Sequence, residues 1–286
     1  MFARGGPVAF RLRTGDRHGM TTTYHDTPGL RLEREGPVAR LLIDRADKRN
    51  AMSSAMWAAV PALVGAAMAD PAVRVLVVQS ATPGLFCAGA DIAEMVARRE
   101  DAAWLAANQA AINRAQHELT RALKPTVAFI DGDCIGGGAG LALACDIRVA
   151  SPQARFGVTP ARLGLVYPLH DTKLLIDLIG PSFAMEMFFT GRQFTAEEAR
   201  GMGLVNRVVA DDALETIVGE MARQIADNAP LTVKAAKLVV RELVKDVADR
   251  DVAACDAAVK ACFASADYKE GQAAFIEKRK PKFTGR

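Results

Sequence analysis

Short β-branched runs alternate with longer segments of helical apolar spacing through the first half of the chain. Pro37-Val-Ala-Arg-Leu-Leu-Ile-Asp44 and Val73-Arg-Val-Leu-Val-Val78 read as strands, and between them residues 51–68 carry apolar positions at helical spacing. The order recurs downstream. A long helical segment over 101–123 leads into the strand Pro125-Thr-Val-Ala-Phe-Ile130 and a hairpin around 125–135. A short helix over 139–145 then leads into the strand Asp146-Ile-Arg-Val-Ala150. This alternation predicts an α/β fold whose strands pair through helical crossovers.

From about residue 170 the strand signals nearly vanish. Residues 181–190 read as a helix opened by Pro181 and stopped by Gly191, and Thr195-Ala-Glu-Glu198 has the spacing of a capping box. Helices follow over 213–228, 231–247, 251–264 and 268–278, with apolar faces short of partners, which predicts packing against another subunit. A self-contained bundle is the alternative. The division expected is a flexible extension over 1–28, a core over 29–210 and a C-terminal helical oligomerisation region over 211–286. Met20 precedes a more ordinary beginning, so 1–19 read as extension or over-long start, an organellar targeting peptide being the alternative.

Composition narrows the class. With 286 residues, half of them hydrophobic, the chain has enough apolar side chains for a sizeable core. Basic and acidic residues number 36 and 33, with no basic run interleaved with aromatics, so nucleic acid is not an expected partner. No apolar run approaches the roughly 20 residues that span a bilayer, so no membrane partner is expected either. The five cysteines, Cys87, Cys134, Cys145, Cys255 and Cys262, form no CxxC pair and no metal-spaced cluster. They read as reduced thiols of a cytoplasmic protein, and no metal site is expected.

Two stretches carry the candidate chemistry. Phe86-Cys-Ala-Gly-Ala-Asp91 and Ile135-Gly-Gly-Gly-Ala-Gly140 place small residues where backbone N–H groups can converge on one ligand oxygen. Asp91 can cap a helix that starts after it. A pair of such donors stabilises an enolate or tetrahedral oxyanion, and losing one costs about 3–4 kcal/mol of transition-state stabilisation. The glycines fit neither G-x-G-x-x-G nor a phosphate loop, and no G-x-S-x-G elbow exists.

Together these stretches resemble the crotonase (enoyl-CoA hydratase/isomerase) superfamily. Asp44-Arg-Ala-Asp-Lys-Arg-Asn-Ala51 is similar to the family's N-R-P-x-x-x-N-A turn, with Ala46 in place of proline. Leu163-Gly164, the segment 201–209, Tyr268-Lys-Glu-Gly271 and the ending 275–281 also fall in the family order. The resemblance implies a ββα spiral core, a C-terminal helical trimerisation region and a homo-oligomer, either a trimer or a dimer of trimers. It also implies an acyl-CoA thioester as ligand, with coenzyme A entering as part of the substrate and no separate cofactor. On this resemblance the oxyanion amides are those of Ala90 and Gly137. Asp91 and Ile92 lie along the adenine and pantetheine path, Ala88, Gly138 and Pro160 are substrate-binding, and Phe275 with Lys278 reach the coenzyme A of a neighbouring subunit.

Hydratases of this family use two glutamates, at the positions held here by Gly140 and Pro160. Neither residue can move a proton. The segment 158–169 and the C-terminus are instead similar to the methylmalonyl-CoA decarboxylase branch, with Tyr167 as the active-site tyrosine. Loss of carbon dioxide itself generates a thioester enolate and needs mainly an oxyanion hole and an orienting group. Decarboxylation of a malonyl-type acyl-CoA is therefore the leading expectation. Hydration or double-bond isomerisation by other groups and non-catalytic acyl-CoA binding are the alternatives. Among the remaining polar residues, His170 and Asp171 read as a helix cap and a surface residue, Cys87 and Cys134 as core, and Arg162 as a solvated charge or a clamp for a substrate carboxylate.

Overall fold

The computed structural model describes the backbone of residues 22–286, with side chains from Thr27 onward; the readings made for 1–21 lie outside the described residues. Strands β1 (Thr22–Thr27), β2 (Leu30–Glu35) and β3 (Val38–Ile43) form an antiparallel meander. The expected extension over 1–28 is thereby corrected, because residues 22–27 pair with β2 as the edge of the main sheet. In β2 only alternate positions, Leu30 and Leu32, are buried, and charged residues fill the places between. Such a one-sided strand lacks the apolar run that marks β3.

From β3 the chain winds through parallel crossovers. Helix α1 (Ser54–Ala69) leads to β4 (Val75–Ser80), and helices α2 (Ile92–Ala97) and α3 (Ala102–Thr120) lead to β5 (Thr126–Ile130). The chain then leaves the sheet. The expected hairpin at 125–135 does not form: β6 (Asp133–Ile135) joins β8 (Arg155–Gly157) and β9 (Phe194–Thr195) in a separate three-stranded sheet. Gly132, at φ 125°, makes the exit, and a Cβ there would strike the Gly84 carbonyl. Helix α4 (Gly137–Leu143) returns the chain to β7 (Ile147–Ala150), and β10 (Arg207–Val208) completes a seven-stranded sheet ordered β1-β2-β3-β4-β5-β7-β10.

Helix α5 (Leu169–Thr190) starts well before the predicted 181–190 segment and is broken at Gly180, φ 74°, so Pro181 restarts it. The capping box at Thr195 forms as predicted and opens α6 (Ala196–Gly201). Helices α7 (Asp211–Asp227), α8 (Pro230–Leu243), α9 (Val252–Ala264) and α10 (Ala266–Ile276) follow. No helix among the described residues is long and apolar enough to cross a membrane.

The two faces of β4 explain the layering. Leu76 and Val78 point into the main core with Met56, Trp57, Val60 and Leu63 of α1, whereas Val75 and Val77 point the other way and meet Val127, Val149 and α7. A parallel sheet needs both faces covered. Leu214, Val218 and Ala222 of α7, each about 1% exposed, supply the second cover. The boundary expected at residue 210 is thus corrected: α7 is part of the core, whereas no residue of α8–α10 joins either core cluster, α8 being tied to the body through Lys237, which bonds the Lys124 carbonyl and the Asp146 carboxylate. Leu214→Ala is expected to lower the unfolding free energy by about 2–5 kcal/mol in urea titration. A loss below about 1 kcal/mol would mean that α7 is not core.

Candidate functional site

The site is built on a tight turn. Asn50, fully buried at φ 57°, accepts from the Arg45 N–H at 2.9 Å and donates to Ser80 Oγ at 2.7 Å and to the Phe86 carbonyl at 2.9 Å. One amide side chain thus ties the 45–51 turn, the end of β4 and the 86–91 loop together. Backbone bonds complete the attachment: Ala88 N–H to Arg49 O, Met52 N–H to Gly89 O, and Asp91 N–H to Met52 O. The Asp91 carboxylate takes Arg45 Nη1 at 2.7 Å and caps α2 through the Glu94 N–H at 3.1 Å. Burial works to raise the Asp91 pKa, but the Arg45 guanidinium and the cap N–H groups outweigh it and hold the carboxyl below its usual range.

Opposite this loop runs the 135–140 segment, and glycines let the two backbones touch. A Cβ on Gly89, at φ 102°, would lie 2.9 Å from the Ile135 carbonyl and 3.1 Å from the Gly137 nitrogen; one on Gly138 would overlap the Cys87 carbonyl. A Cβ on Gly137 would lie 3.5 Å from the Ala90 nitrogen and 2.8 Å from the Trp57 ring. Neither the Ala90 nor the Gly137 N–H has a partner among the described residues. Two free donors side by side on rigid backbone can hold one developing oxyanion.

A cavity of about 390 Å³ opens over these amides. Its walls are largely apolar, with a single arginine, Arg162, and a single carboxylate, Asp171. Tyr167 reaches the amide pair: its hydroxyl lies 3.6 Å from where a Gly136 Cβ would be, and its ring packs edge-on against Phe188. Burial, with the nearby Asp171 carboxyl, pushes the Tyr167 phenol up to about 12. Asp171 is 8% exposed, Oδ1 has no hydrogen-bond partner among the described residues, and burial raises its pKa from an ordinary 3.8 to about 6.

Asp171 therefore corrects the sequence reading of a cap and surface residue. No side-chain cap bond exists at the start of α5; within its first turn Leu169 is exposed, whereas Asp171 is buried and lines the cavity. His170 does not line the cavity; its Nε2 is buried without a partner, 6.0 Å ring to ring from His117. Gln116 is a site residue that sequence reasoning misses altogether. It is 2% exposed on α3, and its Nε2 fills the space that a Gly140 side chain would need. Its signal is faint, one polar residue at a buried helical position.

Ala88, Ala90, Ile92, Gly137 and Tyr167 come together around the cavity, as does Arg162, which has no ion-pair partner among the described residues. Asp91 faces Arg45, Gly138 abuts Cys87, and Pro160 is buried at the start of a 3-10 turn, so none of these three lines the cavity. Phe275 and Lys278 are not brought to it within one chain; Phe275 lines an apolar groove on α8–α10. Cys87 and Cys134 are fully buried core, and burial pushes the Cys87 thiol up to about 12, which removes it as a nucleophile at neutral pH. No cluster of three His, Cys, Asp or Glu that could hold a metal exists among the described residues.

Two outcomes test this geometry. Gly140→Glu is expected to cost about 1–3 kcal/mol of stability by overpacking against Gln116, and Gln116→Ala in the same chain to recover most of it. Equal stability of the two chains would show that Gln116 is not the obstacle. For Asp171 the linkage runs against folding. Below about pH 3.8 the carboxyl is protonated folded and unfolded; between there and about pH 6 only the unfolded chain gives up its proton; above pH 6 the penalty is level. Asp171→Asn is then expected to be more stable than the parent at pH 8, by at most about 3 kcal/mol, with no difference near pH 3. Equal unfolding curves at pH 8 would contradict the burial of a charge.

Comparison with known proteins gives the family. The family model described as enoyl-CoA hydratase/isomerase matches residues 33–286. The short-chain-enoyl-CoA hydratase of Clostridium acetobutylicum is 34% identical over 87% of this chain and 95% of its own length. The mitochondrial methylglutaconyl-CoA hydratase of Mus musculus is 32% identical over 99% and 92%. A crystal structure of an enoyl-CoA hydratase/isomerase family protein from Hyphomonas neptunium superposes with a TM-score of 0.86 at 38% identity, covering 90% of this chain and 98% of that one. The chain belongs to the enoyl-CoA hydratase/isomerase family, the crotonase superfamily.

Proposed function

We propose that this family member forms a thioester enolate from an acyl-CoA, and that its reaction is decarboxylation of a malonyl- or methylmalonyl-type acyl-CoA. One observation carries the reading: the amide pair and Tyr167 share a cavity whose wall has Gly140 where hydratases have a glutamate, Gln116 occupies the space beside Gly140, and Pro160, at the other glutamate position, is buried outside the cavity. In this scheme the thioester oxygen accepts from the Ala90 and Gly137 N–H groups. The substrate carboxylate sits against the Tyr167 hydroxyl and Arg162. The bond to the carboxylate breaks, its electron pair moves into the thioester, and carbon dioxide leaves. The oxyanion donors act on charge that develops only in the transition state, which is where binding energy accelerates.

The coenzyme A moiety is proposed to run past Ile92 and the Asp91 turn, with Phe275 and Lys278 of a neighbouring copy closing over it. The exposed apolar side chains of α8–α10, among them Val240, Phe263 and Phe275, would pack in that homo-oligomer. Hydration is the second reading, favoured by the names of the relatives and by the Asp171 carboxyl in the same cavity.

Product analysis by mass spectrometry on malonyl-, methylmalonyl-, crotonyl- and 3-enoyl-CoA separates the readings. Carbon dioxide release from the first two is expected; hydration of crotonyl-CoA without any decarboxylation would overturn the proposal, and binding of all four without turnover would mark a non-catalytic acyl-CoA protein. Tyr167→Phe and Arg162→Gln are each expected to cut kcat/KM on the carboxylated thioesters roughly 10- to 100-fold, the worth of a charge-assisted hydrogen bond, without changing affinity for butyryl-CoA.

A further inference from the structure

Once carbon dioxide has left, the α-carbon of the enolate still needs a proton, and the cavity offers few sources. Its polar lining includes Gln109, Gln116, Thr159, Arg162, Tyr167 and Asp171. The glutamines and the threonine do not release a proton near neutral pH, and the arginine stays protonated. Burial and the neighbouring Asp171 carboxyl make the Tyr167 phenol a weaker acid than an exposed one. Asp171 differs from all of these. It is more than nine-tenths buried, it lines the same cavity as Ala90, Gly137 and Tyr167, and its Oδ1 meets no donor among the described residues. A carboxylate held for structure would be paired or capped, as Asp91 is by Arg45 and the Glu94 N–H.

We propose that Asp171 is the acid that hands its proton to the α-carbon of the thioester enolate and so fixes the face on which the proton arrives. The proposal rests on the enolate reading above. The step balances simply: the electron pair left by carbon dioxide returns from the thioester oxygen to the α-carbon, a C–H bond forms with the Asp171 proton, and the resulting carboxylate takes a new proton from solvent. A substrate carboxylate held nearby by Tyr167 and Arg162 favours the protonated form of Asp171 before the bond breaks, because like charges in one cavity resist joint ionisation. Run backwards, the same group removes an α-proton from a saturated acyl-CoA.

The test is made in deuterium oxide with the full chain and with Asp171→Asn and Asp171→Ser, so that it does not depend on one replacement. From methylmalonyl-CoA the parent is expected to give propionyl-CoA carrying deuterium in one configuration at C2. Both variants are expected to give a near-racemic product while binding butyryl-CoA within about twofold of the parent. Product of one configuration from the variants, or a racemic product from the parent, would overturn the assignment. If the parent releases no carbon dioxide from any malonyl-type thioester, the decarboxylation reading fails by itself, and α-deuterium exchange into propionyl-CoA then decides on Asp171. Exchange by the parent and a loss of at least tenfold in both variants supports it; equal exchange, or none in the parent, overturns it.

Discussion

The contact between two backbones, residues 87–90 against 135–138, is the constraint around which this molecule is arranged. Carbonyl and amide groups meet there at distances that leave no room for a side chain at Gly89 or Gly138. Each segment must therefore be brought in edge-on and held from behind. Asn50 does this for one side and the second, three-stranded sheet for the other, with the isolated Cys87–Cys134 bridge between them. Trp57 of α1 lies directly beneath Gly137, so the main core also supports the site. Preorganisation of this kind matters because donors fixed before the reaction need not reorganise when charge appears.

Much of that frame is legible in the chain itself. The runs around β3, β4, β5 and β7 are apolar at successive positions because both faces of a parallel sheet are covered, and the glycine stretches mark close backbone approach whatever the surrounding topology. Strand β2 escapes notice because half of its positions face solvent and carry charge. Strand β6 escapes for a different reason. Three residues carry no usable period, and only Gly132, whose backbone passes too close to Gly84 for any Cβ, marks where the chain leaves the first sheet. Helix α7 falls in the wrong layer on sequence alone because periodicity reports an apolar face but not what covers it.

The site divides along the same line. The donors at Ala90 and Gly137 come from local backbone, so sequence neighbours reveal them. Asp171 and Gln116 become part of the cavity only through the placement of α5 and α3, and spacing along the chain contains no trace of that. Their character also depends on the fold: the same aspartate exposed at a helix start would be an ordinary anion stabilised by the helix end. Burial opposes that preference and raises the carboxyl pKa to about 6.

Some of the buried polar atoms without a partner among the described residues lie at or near the site. Oε1 of Gln116, Oδ1 of Asp171, Nε2 of His170 and Nε1 of Trp57 are all buried without a partner among the described residues. The first two line the cavity, Trp57 underlies its amide pair, and His170 adjoins Asp171 in sequence. Leaving one such group unmet costs about 1–3 kcal/mol, a burden that a fold selected for stability alone would shed. The residues at 140, 160 and 171 belong to one local arrangement. Glycine at 140 makes room for Gln116, proline at 160 starts the turn that leads to Tyr167, and the helix after that tyrosine brings Asp171 into the cavity from a new direction.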